Sequence, residues 1–562
     1  MCGIWCCLGP TFPHTDNVPA HIKALVKRGP EGTRILDLSG VTLGFTRLAI
    51  NGLTDAGMQP MNRGDLHWMC NGEIYNWAQI TEDYEFDCPS GSDCEVLGAF
   101  YEHCMARGIT LDQMLRALDG VFAFVIVDRM RGQVVVGRDP YGVRPLFVGT
   151  RFTSRFTNIS SSEMNITTKL LNTVFASEMK AMIPFCTTIT VFPPGSYQVY
   201  DLNTAVLKYG KRYHEVPWLK QPLLCDAERG TEFATLAIRS ALEAAVSKRM
   251  MTERPTAALL SGGVDSSLIA SLVAKQLRAA GAPPLQTFSI GMKGSSDLLH
   301  ARKVADWIGS QHHEIVMTVD EFFAAIPYVI ADIESYDTTT VRASVGNWLV
   351  AREVRRRSEC KVVFNGDGAD EVWGSYLYFL KAPSDIEFEA ETQRLLDDVH
   401  MFDVLRSDRC ISSHGLEPRT PFLDKQFVAT AMSVATKWRR PIKGLRPEKW
   451  LMRKAFDDGV TLPSEVLWRR KEAFSDGVSG TEKAWYEIAQ EKAAVLVGDD
   501  WMERADRNYT HLKPKTPEQL YYRFMFESNF GKMHSTVTVP YFWMPRWSFG
   551  ATDPSARTLD VY

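Results

Sequence analysis

Ser261-Gly262-Gly263-Val264-Asp265-Ser266-Ser267 is the run on which the fold turns. It follows a short apolar stretch at 257–260 and precedes a helical pattern that begins at Ser266. Glycines there let backbone N–H groups converge on an anion, and the helix behind them adds its positive end. Ser266 and Ser267 can donate hydroxyl hydrogen bonds. Asp265 would repel a phosphate unless a cation lay between them, so the run predicts Mg²⁺. No lysine follows the glycines, which excludes a Walker-type loop. A second strand is predicted at 361–364, followed by Gly366 and Gly368. Strand, glycine turn and helix in alternation imply a doubly wound α/β parallel sheet, with ligands at the carboxyl ends of its strands.

Outward from this run the chain divides. Apolar residues recur at helical spacing over 231–248 and 266–280. Up to about residue 205 the pattern is instead strand-rich, with β-favouring runs at 66–70, 120–128 and 133–137 and a helix at 95–107. The valines at 121–127 and 134–136 predict paired strands buried on both faces, hence an α+β layered domain. The Ser-, Thr- and Asn-rich stretch 151–172 lacks periodicity and is expected to be a surface insertion. Expected boundaries are 2–205 for the first domain, 206–227 for a linker, 228–545 for the second domain and 546–562 for a tail.

The 562 residues are 45% hydrophobic and 23% charged with a net charge of −4, which suits a globular protein and gives no footprint for nucleic acid or a membrane surface. No apolar run reaches the ~18–20 residues of a membrane span. The N-terminus lacks the basic stretch of a signal peptide. Eleven scattered cysteines with no C-x-x-C pair predict reduced thiols in the cytoplasm.

The chain opens Met1-Cys2-Gly3-Ile4. Loss of Met1 would place a thiol beside a free α-amine, which titrates near pH ~8 and can serve as the base for its own nucleophile.

The phosphate run resembles the signature of ATP pyrophosphatases, which cut between the α and β phosphates. Three runs in the first half resemble the glutamine pocket of N-terminal-nucleophile amidotransferases: Arg47-Leu48-Ala49-Ile50, Asn71-Gly72-Glu73-Ile74-Tyr75-Asn76 and Gly91-Ser92-Asp93. End to end, the chain resembles glutamine-hydrolysing asparagine synthetases. That resemblance implies an αββα sandwich of the N-terminal-nucleophile hydrolase type joined to an adenine-nucleotide α-hydrolase-like sheet. It implies a ligase that makes L-asparagine from L-aspartate and ATP through β-aspartyl-AMP. Ammonia comes from glutamine, and glutamate, AMP and pyrophosphate are released. ATP would be a substrate and Mg²⁺ a cofactor. Partners would be small molecules and a second copy in a cytoplasmic homodimer.

The residues carried over by the resemblance fall into two sets. Cys2 would be the nucleophile, with Asn71 and Gly72 as oxyanion hole. Arg47, Leu48, Ala49, Ile50, Asn51, Glu73 and Asp93 would complete the glutamine pocket, Arg47 clamping the carboxylate and Asp93 the ammonium. Leu259, Ser261, Gly262, Gly263, Asp265, Ser266, Ser267, Ile290, Asn365 and Gly366 would bind ATP, and Asp265 with Asp370 the metal. Thr339, Thr340 and Arg342 would bind aspartate, with Arg342 as carboxylate partner. Lys471, in Arg470-Lys471-Glu472-Ala473-Phe474-Ser475-Asp476-Gly477, would face the reacting centre. Charge balance at the α-phosphate further predicts that Lys471 pairs with Asp367.

Departures from the family pattern are local. The second loop reads Asn365-Gly366-Asp367-Gly368-Ala369-Asp370-Glu371, with Asp367 where the family carries glutamate, a carboxylate about 1.5 Å further back. Lys27-Arg28-Gly29-Pro30-Glu31 stands for His-Arg-Gly-Pro-Asp. Phosphoribosyl amidotransferases share the Cys-Gly-Ile start but lack the phosphate run. β-Lactam-forming synthetases tend to lose the cysteine and the pocket arginine, both present here.

Overall fold

The computed structural model describes residues 1–9, 18–160, 163–214, 230–480, 483–548 and 553–559. It separates into two units, Met1–Glu215 and Val216–Tyr562.

The first unit holds two six-stranded sheets. One runs Thr188–Val191, Phe147–Ser160, Glu163–Ala176, Gly3–Leu8, Val41–Arg47, Gly32–Leu38; the other runs Leu207–Arg212, Ser196–Asp201, Gln133–Arg138, Gly120–Asp128, Leu66–Ile74, Met61–Arg63. Side-chain alternation fixes how they stack. Met69, Val125, Val127, Val134 and Val136 face Ile4, Cys6, Leu8, Leu43 and Phe45 of the other sheet in one apolar core. Their neighbours Trp68, Cys70, Phe122, Phe124 and Val135 face the opposite way, onto Val96, Leu97, Phe100 and Cys104 of the helix Val96–Arg107. The outer face of the first sheet carries a thin layer, where Trp5 stacks on His21 of the helix Val18–Lys23 with ring centroids 6.0 Å apart. Helix, sheet, sheet, helix is the αββα order expected. The valine runs pair antiparallel as predicted, Val125 opposite Val136 and Val127 opposite Val134.

Two expectations for this unit need correction. The stretch 151–172, expected as an aperiodic surface insertion, is regular strand: it lies within a long hairpin, Phe147–Ser160 against Glu163–Ala176, of which residues 161–162 lie outside the described set. Its threonines, isoleucine and phenylalanines favour an extended chain, but it shows no alternation of apolar and polar residues to read. The segment 206–227 does not begin as a linker. Leu207–Arg212 adds a strand to Ser196–Asp201, and all six of its residues are exposed. An edge strand dressed with lysine and arginine looks like a linker because charge is what protects such an edge. Residues 215–227 of that expected linker lie outside the described residues.

The second unit is built on a five-stranded parallel sheet ordered Gln311–Val316, Gln286–Gly291, Thr256–Leu259, Val362–Phe364, Glu417–Arg419. Thr256–Leu259 leads through the phosphate run into the helix Val264–Ala279, as the spacing predicts. From this strand the chain winds to one side through Gln286–Gly291, and Val362–Phe364 lies on its other side, so the two glycine turns meet at a switch point. The approach is close. A Cβ on Gly366 would lie 2.7 Å from the Ser266 nitrogen, and one on Gly262, at φ +75°, would lie 2.5 Å from the Ala301 nitrogen. The expected tail at 546–562 is in part packed structure. Trp547 packs on Phe379 and Leu559 joins Tyr378, Phe379 and Phe388 in a core cluster, while 549–552 and 560–562 lie outside the described residues. Among the described residues, no helix is long and apolar enough to cross a membrane.

Candidate active sites

In the first unit, two paired strands of one sheet and a strand of the other deliver the predicted residues to one place. Cys2 immediately precedes the strand Gly3–Leu8, Arg47 ends its neighbour, and Asn71, Gly72 and Glu73 lie near the end of Leu66–Ile74. The Cys2 backbone nitrogen donates to Asn71 Oδ1 at 3.1 Å, and the thiol lies 3.6 Å from the Leu48 carbonyl. With its oxygen so engaged, the Asn71 side-chain nitrogen is buried without a hydrogen-bond partner. A buried amide donor left unpaired costs about 1–3 kcal/mol, and an incoming oxygen would satisfy it.

Arg47 is buried and uses two donors on its own loop, one to the Thr54 carbonyl at 2.7 Å and one to the Gly52 carbonyl. Leu48, Ala49 and Ile50 are buried in that loop. Asn51 donates to Glu73 Oε2 at 2.8 Å, and Asp93 Oδ2 accepts from the Ile74 nitrogen at 2.7 Å. Three residues that sequence reasoning left out hold the assembly. Arg28 donates to the Cys2 carbonyl at 3.0 Å and pairs with buried Glu178 at 2.9 Å, and Glu31 accepts from the Ala49 nitrogen at 2.8 Å. Arg28 and Glu31 sit in the departed Lys27–Glu31 run, which was their signal.

In the second unit the two glycine turns open onto one cavity of about 250 Å³. Leu259, Ser261, Gly263, Asp265, Ser266, Ile290, Thr339, Thr340, Asn365, Gly366, Asp367, Asp370 and Lys471 all line it. Three predicted residues do not. Gly262 turns its backbone against His300 and Ala301, and Ser267 is fully buried in the helix. Arg342 is the larger correction. It is buried and saturated by protein carboxylates, Glu518 at 2.5 Å and Asp553 at 2.7 Å. It braces the fold and leaves nothing for an aspartate.

Two groups of the charges that line the cavity lie at the glycine turns. Lys449 is buried between the two turns, its Nζ 2.5 Å from Asp265 and 2.6 Å from Asp370. Lys471 donates to both oxygens of Asp370 at 2.6 and 2.7 Å. Lys471 thus pairs with Asp370, not with Asp367 as expected. Burial opposes ionisation of Asp370, but the two ammonium groups outweigh it and hold its carboxyl well below the usual range. Burial likewise opposes the charge on Lys449, and Asp265 and Asp370 reverse the balance, raising its pKa. No motif marked Lys449. Its backbone is left-handed at φ +57°, a conformation costing about 1–2 kcal/mol outside glycine, of the kind that collects at functional sites.

The second group is Asp367, Asp403 and Arg406. Arg406 lies 3.6 Å from Asp367 and pairs closely with Asp403, whose other oxygen accepts from the Gly368 nitrogen at 3.0 Å. Desolvation, with Asp403 adding to it, pushes Asp367 up to about 7. Asn365 fills the family's serine position by donating to Ser407 Oγ at 2.6 Å.

Comparison with known proteins covers both units. Residues 1–214 match the glutamine amidotransferase domain family, and residues 237–388 and 383–523 match the asparagine synthase family. Over 100% of this chain and 99% of the relative, it is 39% identical to a protein of Cricetulus griseus named asparagine synthetase [glutamine-hydrolyzing]. Proteins of the same name from Gallus gallus and Homo sapiens are each 40% identical over 100% of this chain and 99% of their own length.

Proposed function

The chain belongs to the family of glutamine-hydrolysing asparagine synthetases, and from that premise we propose how its residues divide the reaction. It is a glutamine-dependent ligase that makes asparagine from aspartate with ATP. The observation that carries the division is the convergence of both glycine turns and both lysines on one cavity of the second unit, while Cys2 lies in the first.

At the first site, removal of Met1 turns the Cys2 nitrogen into a free amine. That amine takes the thiol proton as sulfur attacks the side-chain amide carbon of glutamine, and returns a proton to the departing ammonia. The oxyanion satisfies the unpartnered Asn71 nitrogen, with the Gly72 N–H as second donor. Water then releases glutamate from the thioester.

At the second site, an oxygen of the aspartate β-carboxylate attacks the α-phosphorus of ATP and pyrophosphate leaves. Ammonia attacks the carbonyl carbon of the resulting β-aspartyl-AMP, and AMP leaves. Lys449 and Lys471 balance the charge that gathers on the phosphates. Arg406, in place of Arg342, is the cation for an aspartate carboxylate. Mg²⁺ fits this site: buried Asp265 Oδ1 has no hydrogen-bond partner, and two carboxylates plus substrate phosphates are the donor set this ion takes. Asp265 and Asp370 would hold it, and when bound it would neutralise charge on the leaving pyrophosphate. The ten described cysteines are all free, which supports the reducing cytoplasm as compartment. A homodimer belongs to the same proposal and is checked by light scattering.

The decisive test supplies aspartate, glutamine and MgATP to the full chain and measures asparagine, glutamate, AMP and pyrophosphate. Equimolar asparagine, AMP and pyrophosphate are expected. Glutamine hydrolysis without AMP would overturn the assignment.

Asp367 adds a pH signature. Ionised, it can take the proton that ammonia sheds as it attacks; protonated, it cannot. With its pKa near 7, asparagine formed per pyrophosphate released is expected to fall as pH drops below about 7 and to level off above it. Asp367→Asn should flatten that limb. Persistence of the limb in the variant would remove Asp367 from the proton path.

A further inference from the structure

Residues 553–559 lie against the synthetase cavity, and neither the family features nor the reaction above accounts for them. Pro554 lines the cavity itself. Asp553 is held by Arg342 at 2.7 Å and by Gln490 at 2.7 Å. Ser555 is buried and donates to Asp476 Oδ1 at 3.0 Å. Arg557 donates through one nitrogen to Glu472 Oε1 at 2.9 Å and to the Asp476 carbonyl at 3.1 Å. Leu559 anchors the end of the segment in the aromatic cluster of Tyr378 and Phe379.

The ties of Ser555 and Arg557 reach one place. Lys471 sits in residues 469–473, which form neither helix nor strand, just before the short helix Phe474–Gly477. Such a loop has no ladder of its own to fix it. Its stiffness comes from side chains on either side of Lys471. Arg469 reaches the Gly262 carbonyl at 3.1 Å and Asp297 at 2.9 Å, and Glu472 accepts from Ser296 at 2.8 Å. Arg557 completes this frame from the far end of the chain, gripping Glu472 next to Lys471 and the backbone of Asp476 beyond it.

We propose that Arg557 is a positioning residue for the synthetase reaction, which through Glu472 and the Asp476 carbonyl fixes the loop that presents Lys471. Residues 553–559 are then a wall of the synthetase site. The inference rests on the role given to Lys471 above. It goes further in assigning that lysine's placement to a segment whose composition reads as a tail.

The experiment uses the full chain and follows aspartate-dependent exchange of pyrophosphate into ATP, with the thermal unfolding transition and KM for ATP as the controls for folding of the second unit. Arg557→Ala is expected to lower the exchange kcat roughly 10- to 100-fold, the effect of an ~1 Å misplacement of a reacting group, with KM for ATP little changed. Arg557→Lys, which keeps the charge, should recover part of the rate. Glu472→Ala combined with Arg557→Ala should be scarcely worse than either alone, because both act through one contact. Wild-type exchange in Arg557→Ala, no recovery with lysine, or additive losses in the double variant would overturn the proposal. If Arg557→Ala does not fold, Ser555→Ala cuts the second tie and is read by the same kcat-against-KM criterion. A wild-type chain that exchanges no pyrophosphate would instead sink the functional assignment itself.

Discussion

Cys2→Ala is expected to abolish glutamine-dependent asparagine synthesis, by roughly 10⁴-fold or more as for other lost nucleophiles, and to leave synthesis from ammonium salts intact. The Cys2 thiol is a group able to form a covalent bond to the amide carbon. Its surroundings serve that attack: the Leu48 carbonyl 3.6 Å from sulfur, Asn71 Oδ1 3.1 Å from the nitrogen that becomes the base, and an unpaired Asn71 nitrogen. In the proposed division, adenylation draws on residues of the other unit, which the substitution does not touch. Mass spectrometry should find the active protein beginning at Cys2. Retained use of glutamine by the variant, or an active enzyme that keeps Met1, would defeat the assignment.

Lys449→Met should be as damaging to the other half of the reaction. Synthetase activity is expected to drop by roughly 10³-fold, the upper range for loss of one preorganised charge donor, while glutamine hydrolysis continues. Without the ammonium, Asp265 loses its cationic partner and Asp370 keeps only Lys471, and the phosphates lose the charge that meets them at the switch point. The substitution also leaves Asp265 without its ammonium, and breaking a buried ion pair costs up to about 3–5 kcal/mol. The unfolding temperature should therefore fall too, and rates must be compared well below it. Exchange of pyrophosphate within tenfold of wild type in a folded variant would show that Lys449 is only structural.

How much of this could be read in advance depends on distance along the chain. The phosphate run was legible because strand, turn and helix are contiguous there, and the physics of an anion site is local. The residues expected at the first site gather because Cys2 and Arg47 flank paired strands of one sheet and Asn71 and Gly72 lie on a strand of the other, while Asp93 accepts from the Ile74 nitrogen at the end of that strand. Lys449 was not, since its partner Asp265 is 184 residues away and no local pattern marks a lysine that will be buried. Arg342 misled for the same reason. A buried arginine in a motif invites a ligand carboxylate, but Glu518 and Asp553, 176 and 211 residues on, take it first. The hairpin at 151–172 was missed because its register is set by pairing partners and not by an alternation visible in either strand.

The ammonium held between Asp265 and Asp370 also bears on chemical selectivity. On the proposed route, a site that makes an acyl-adenylate for ammonia to attack must keep its own amines from attacking first. A neutral lysine there would be a competing nucleophile, and the enzyme would acylate itself. Two carboxylates that raise the pKa of Lys449 keep its lone pair on a proton. The same contacts that aim its charge at the phosphates thus disarm it as a base and as a nucleophile. Among amines near the activated carbonyl, reactivity is left to the small neutral molecule that arrives from outside.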